Sequence, residues 1–92
     1  MLTLIRRATA GTLESSDVFV EAAPGGEALT VTLDSAVKEQ FGASIEASAR
    51  EVAAALGVMA GEIRLIDRGA LDCVIRARVE TALLRAAKEE TL

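Results

Sequence analysis

The sequence contains no histidine, tryptophan or tyrosine, and only one cysteine, one proline and two phenylalanines among its 92 residues. Without histidine, Ser-His-Asp hydrolysis and most zinc sites lie outside what the chain can build alone. A single cysteine cannot close an internal disulfide. The scarcity of aromatics, with a formal net charge of −4, removes both the stacking platform and the positive field of a nucleic-acid binder. No apolar run approaches the roughly 18–20 residues of a membrane span. The segment Met1–Arg7 places its apolar patch ahead of its basic pair, the reverse of a secretory signal. The expected compartment is a reducing cytoplasm, with no membrane or nucleic-acid partner, no metal and no autonomous catalytic residues.

What is present is short and aliphatic. Hydrophobic residues make up 51% of the chain, so the core is expected to consist of Ala, Val, Leu and Ile, with Phe19 and Phe41 as its only rings. A chain of this length buries about 60–65% of its unfolded surface, enough for one domain. We read residues 1–92 as that domain, with an N-terminal arm over 1–16 and an α+β body over 17–88.

Asp17–Ala22 is rich in β-branched and aromatic residues, and Leu29–Leu33 alternates apolar and hydroxyl side chains with the period of two of a half-buried strand. Pro24-Gly25-Gly26 between them predicts a hairpin loop and antiparallel pairing. From Val37 the period changes: Val37, Phe41, Ile45, Ala49, Val52 and Leu56 fall on one stripe of a helix. Asp34 or Ser35 is placed to cap its start, and Gly57 to end it in the left-handed conformation. Gly42 inside the helix fits either a close approach to the sheet or tolerated slack. Glu62–Asp67 alternates as a strand, and Arg68-Gly69 reads as a turn.

The segment from Leu71 fits two periods. Leu71, Cys73, Ile75, Ala77 and Val79 alternate as on a strand, while Leu71, Ile75, Val79, Ala82, Leu83 and Ala86 form a helical stripe. Its β-branched first half favours a strand to about Val79, and its Ala/Leu-rich second half a helix to about Lys88. The expected fold is a two-layer α+β domain of order ββαββα, an antiparallel sheet of about four strands with two helices on one face. In that reading Cys73 is a small core residue. Arg76 and Arg78 share one strand face near Arg64 and Arg68, either as ordinary outer-face charge or as a contact for phosphates or an acidic partner. Lys88-Glu89-Glu90 is a solvated helix end.

Two stretches carry the reading beyond a small α+β domain. Ala10-Gly11-Thr12-Leu13-Glu14-Ser15-Ser16-Asp17-Val18, and Gly69-Ala70-Leu71-Asp72-Cys73-Val74-Ile75-Arg76-Ala77-Arg78-Val79-Glu80, resemble the two signatures of the citrate lyase acyl carrier proteins, the gamma subunits of that lyase. Ser35–Gly42 is similar to the start of the family's first helix. The resemblance implies that the serine after Leu-Glu, here Ser15, is covalently joined through a phosphodiester to phosphoribosyl-dephospho-coenzyme A (phosphoribosyl-dephospho-CoA), making the chain a phosphoprotein. The family pattern often has glycine next; this chain has Ser16, a second hydroxyl and the less favoured attachment point.

The resemblance further implies a non-catalytic carrier. Its prosthetic thiol holds acetyl and citryl thioesters while an alpha subunit exchanges the acyl groups and a beta subunit cleaves citrate to oxaloacetate. The partners implied are those two subunits and the transferase that attaches the group. A carrier for malonate decarboxylase or citramalate lyase, and an unmodified interaction domain, are the alternatives. Thr12–Asp17 suits attachment on physical grounds, being polar, hydroxyl-bearing and ahead of a strand. Asp34-Ser35-Ala36-Val37 looks like the Asp-Ser-Leu site of helical acyl carriers, but it lacks the leucine and is explained by helix capping.

Overall fold

A computed structural model describes residues 2–35 and 37–87. In chain order it contains β1 (Ala8–Gly11), β2 (Val18–Ala23), β3 (Leu29–Ser35), α1 (Lys38–Leu56), β4 (Gly61–Asp67) and α2 (Asp72–Ala87). The α+β class and the numbers of strands and helices, four and two, are as expected. Two details differ: the order is βββαβα rather than ββαββα, and the sheet is mixed rather than antiparallel.

The strands lie in the order β1-β2-β4-β3. β2 is antiparallel to both β1 and β4, with Val20 opposite Ala10 on one side and Leu65 on the other. β3 runs parallel to β4, from Leu29 opposite Gly61 to Ser35 opposite Asp67. A parallel pair needs a long crossover, and α1 supplies it. The Pro24–Ala28 segment is therefore not a hairpin loop, because β4 lies between the two strands it joins. Strand β1 escaped the sequence reading because Ala-Thr-Ala-Gly has almost no β-branched content; its pairing with β2 defines it.

Register puts Ala10, Val18, Val20, Ala22, Ile63 and Leu65 on one face, all buried. Both helices cover that face with Ile45, Ala49 and Ala53 from α1 and Ile75, Val79, Ala82, Leu83 and Ala86 from α2. The core is aliphatic, as the composition requires, and it contains neither ring. Phe41 is 54% exposed on α1. Phe19 is half-buried on the uncovered face of the sheet, opposite Ile66. That face otherwise carries polar residues such as Thr30, Thr32, Glu62 and Arg64.

The ambiguity after Leu71 resolves as helix throughout. The buried residues at 75, 79, 82, 83 and 86 follow helical spacing, whereas alternation would also bury Cys73 and Ala77, which are exposed. Tertiary burial of one stripe outweighs the β propensity of Val74, Ile75 and Val79. Cys73 is thus a surface residue of the first turn of α2, not a core residue. The expected end of this helix at Lys88, and the run Lys88-Glu89-Glu90, lie outside the described residues.

At α1, Gly57 ends the helix in the left-handed conformation with φ 75°, as its place in the sequence predicts. The start differs from expectation: the cap position is Val37, with no side-chain capping bond. The Ser35 hydroxyl accepts from the Val37 N–H (3.2 Å) and donates to Asp67 (2.9 Å), fastening the end of β3 to the end of β4. A side chain at Gly42 would meet Lys38 Cγ at 3.1 Å and Leu33 Cδ2 at 3.8 Å, so the glycine sits in ordinary contact with β3.

Candidate functional site

The first sequence signature forms the connection between β1 and β2. The Asp17 N–H donates to the Glu14 carbonyl (3.2 Å), closing a four-residue turn whose central residues are Ser15 and Ser16. Ser16 has φ 67°, a positive value among the described non-glycine residues that is unique to it. A positive φ at the third residue of such a turn is the place that glycine fills without strain. The glycine that the resembled motif often has at this position would therefore have a backbone reason, and Ser16 adopts the same conformation at some cost. Both serines are exposed. Ser15 sits at the second position of the turn, while the Ser16 N–H is fixed to the Arg68 carbonyl at 2.8 Å.

The base of the loop is a polar clamp. The Thr12 hydroxyl donates to one Asp17 carboxylate oxygen (2.7 Å) and accepts from the Glu14 N–H (3.2 Å). The other Asp17 oxygen accepts from the Val18 N–H at 2.8 Å. From α2, the Arg78 guanidinium reaches across and binds both oxygens, at 3.1 and 3.2 Å, in the bidentate geometry that fixes direction as well as distance. Thr12 first, then Val18 and Arg78, hold the Asp17 carboxyl down at about 2, against an ordinary 3.8. The carboxylate is the hub of the loop and stays charged at any physiological pH.

Gly11 makes this closure sterically possible. It has φ 86°, and a Cβ there would fall 1.8 Å from the Val18 carbonyl oxygen and 3.3 Å from Arg78 Cδ. The two legs of the loop and the Arg78 stem converge on a point where only hydrogen fits. On its other side the loop is tied to the β4–α2 turn, where the Arg68 N–H donates to the Asp17 carbonyl (2.9 Å).

The arginines do not form the shared strand face considered from the sequence, because residues 76 and 78 are on a helix and point apart. Arg76 pairs with Asp72 and Glu51, each at 2.8 Å, bracing α2 against α1. The Ser48 hydroxyl also bonds Asp72; Ser48 and Arg76 together hold that carboxyl below the ordinary range. Arg78 serves the loop. Arg64 lies exposed on the uncovered sheet face and Arg68 is exposed beside the loop. Sequence reasoning missed the Asp17–Arg78 pair, although its signal was present: the two signatures each carry one member.

Chemically, the site offers an exposed primary hydroxyl on a turn held from below. Asp17 is fully engaged in holding the loop and is not free to act as a general base at Ser15; the neighbouring Glu14 carboxylate is exposed. Such a site is accessible to an outside catalyst and has room to carry a group. Among the described residues no group of three or more Cys, Asp or Glu side chains converges to hold a metal ion, and no helix is long and apolar enough to cross a membrane.

Comparison with known proteins is consistent along most of the chain. A citrate lyase acyl carrier protein of Pectobacterium carotovorum is 51% identical over 85 residues, covering 92% of this chain and 88% of that one. The citrate lyase acyl carrier protein 2 of Salmonella paratyphi A is 48% identical over 89 residues, covering 96% and 92%. That of Haemophilus influenzae is 49% identical over 88 residues, with the same coverage. A crystal structure from Thermus thermophilus superposes with a TM-score of 0.51 at 16% identity, over 92% of this chain and 16% of that one, a likeness of fold alone. The family model described as "ACP: Malonate decarboxylase delta subunit (MdcD)" matches residues 5–86. With that match and relatives near half identity over nearly its full length, the chain belongs to the citrate lyase acyl carrier protein family.

Proposed function

We propose that this chain is the acyl carrier subunit of a cytoplasmic citrate lyase complex, carrying phosphoribosyl-dephospho-CoA through a phosphodiester on Ser15. The observation that supports this most directly is the contrast within one turn: an exposed Ser15 hydroxyl between residues whose backbone and side chains are fixed by Arg68, Thr12 and Arg78. The donor set fits the group, since a phosphodiester needs one accessible hydroxyl and room around it, and both are present at this turn. When bound, the group supplies the thiol on which the acyl moiety is carried. The chain's own residues do the rest: they project the attachment oxygen from a defined base.

In this reading the carrier works by tethering. Holding the acyl group on a chain docked with acyl-transferring alpha and acyl-cleaving beta subunits makes each encounter intramolecular, at an effective concentration set by the arm. Specificity for citrate then resides in those subunits. A second reading, the carrier of a malonate decarboxylase, draws on the description of the matching family model and differs only in the partners.

Intact mass spectrometry of the chain from its own host, followed by peptide mapping, tests the proposal. The expected result is the mass of the prosthetic group on the peptide containing Ser15, lost in Ser15→Ala and kept in Ser16→Ala. An unmodified chain from an active native complex would refute it. Co-purification with decarboxylase rather than lyase subunits would select the second reading.

A further inference from the structure

Beside the loop lies a cleft that the tethering role leaves unexplained. It measures about 310 Å³ and opens between the first half of α1 and the β4–α2 turn. Val37, Phe41, Ile45, Ala70 and Ile75 give it an apolar lining. Phe41, one of only two rings in the chain, stands there 54% exposed. The ring is thereby free to pack against a group that enters the cleft.

Position and size say what the occupant is. The cleft shares its rim with the attachment loop: Gly69 and Ala70 line it, and the preceding residue, Arg68, is bonded through both its N–H and its carbonyl to Asp17 and Ser16. Gly69, with φ 90°, has no side chain, and a Cβ built there meets nothing within 4 Å, so the path over the turn is open. The volume lies at the lower bound of small-molecule pockets, about 300 Å³. A stable protein partner would instead require a contact of roughly 800 Å² on each side.

The charges restrict the occupant further. Asp67 and Asp72 are the charged residues of the lining, and it holds no Lys or Arg. Asp67 is buried and already accepts from Ser35 and the Ala70 N–H. The cation beside the lining, Arg76, is committed to Asp72 and Glu51, so an acyl group bearing free carboxylates finds no unengaged positive charge among the described lining residues, whereas a small neutral acyl group meets apolar surface.

Resting on the Ser15 reading above, we infer that this cleft receives the acyl-bearing end of the chain's own prosthetic arm, admits it in the acetyl form, rejects it in the citryl form, and shields the acetyl thioester from water between encounters with the catalytic subunits. A group inside for about four-fifths of the time is hydrolysed about fivefold more slowly than a free one.

The test uses the full chain loaded with the prosthetic group, its mass verified, in thiol, acetyl and citryl forms. Backbone amide shifts at Gly69, Ala70 and Ile75 are compared among the three, and the acetyl thioester half-life is compared with that of acetyl-coenzyme A. The acetyl form is expected to move those amides and to last about fivefold longer; the citryl form leaves them where the thiol form has them. Ser44, exposed at the cleft wall, allows Ser44→Trp to fill the opening without touching the core, and Phe41→Ala removes the ring as a second route. Each is expected to return the half-life to that of the free thioester while the unloaded protein keeps its melting temperature. A loaded chain whose cleft amides do not respond, or whose thioester is hydrolysed as fast as acetyl-coenzyme A, overturns this inference and leaves the Ser15 reading intact. A chain never loaded in its host overturns both.

Discussion

Two loops flank β2, and they are held by different means. The Pro24–Ala28 loop after it relies on backbone freedom: Gly25 and Gly26 have φ 156° and 62°, and Ala28 meets Gly61 through one long hydrogen bond of 3.4 Å. The Thr12–Asp17 loop before it is fixed by side chains, with Asp17 accepting from Thr12, Val18 and Arg78 at once. The difference teaches that exposure and order are separable. A turn that only crosses from one strand to another can remain loosely determined, whereas a turn that presents a group to several enzymes, as proposed for the first loop, is useful only if its base does not move.

The largest expected break in this comparison comes from adding one methyl group to each loop. At Gly11, alanine puts its Cβ 1.8 Å from the Val18 carbonyl oxygen at φ 86°, so β1 and β2 must separate; Gly11→Ala is expected to cost more than about 3 kcal/mol. At Gly26 the nearest atoms stand 3.7 Å away and only the φ of 62° resists, so Gly26→Ala costs about 1 kcal/mol. Denaturant unfolding of the two variants measures both. Equal losses would show that the first loop is no more constrained than the second.

Next comes the clamp itself. Arg78→Ala removes both guanidinium bonds to Asp17, while Arg76→Ala removes a pair elsewhere on the same helix. Hydrogen exchange at the Ser16 and Asp17 amides is expected to quicken by roughly tenfold in the first and not in the second, because local opening follows the loss of local bonds. Exchange at Gly25 and Gly26 stays the same in both. Quickening at those glycines as well would mean that Arg78 supports the whole fold rather than the loop.

A smaller effect is carried by protonation. The Asp17 carboxyl is held at about 2 in the folded chain, against 3.8 ordinarily. Between those values the unfolded chain binds more protons. The stabilisation contributed by Asp17 is therefore complete above about pH 4 and disappears as the pH falls toward 2. Thr12 is the first cause of the shift, so Thr12→Val should bring the Asp17 midpoint partway back toward its ordinary value. Carboxyl NMR titration checks this. A wild-type midpoint near 3.8 would show that the clamp is not closed in solution.

How much of this was legible beforehand differs between the site and its supports. The Thr12–Asp17 loop could be singled out because a contiguous motif carries it, and α1 could be read because its apolar stripe has a single period. The segment after Leu71 could not, because Val74, Ile75 and Val79 suit a strand locally and only packing against β2 and α1 decides for helix. That one misassignment also misplaced Cys73 and turned Arg76 and Arg78 to the same side. Strand β1 has too little β-branched content to announce itself, and the parallel pairing of β3 with β4 joins strands separated by the whole of α1, which local composition does not encode. Asp17 and Arg78 stand 61 residues apart, and their meeting depends on α2 being a helix at that position.

The finest distinction lies within the turn. Ser16 occupies a conformation that costs an ordinary residue roughly 1 kcal/mol or more and glycine almost nothing. Ser16→Gly removes that strain but also adds freedom to the unfolded chain, worth about 0.4–1 kcal/mol in the opposite direction. The two effects nearly cancel, so Ser16→Gly should leave the unfolding free energy within about 1 kcal/mol of wild type, with loading on Ser15 unimpaired. The same change at Ser15, in the position of the turn without a positive φ, gains only the penalty and deletes the oxygen proposed for attachment. If Ser16→Gly abolished loading while leaving stability unchanged, the hydroxyl that matters would be the second one, and the strained conformation of Ser16 would have to be reread as presentation rather than support.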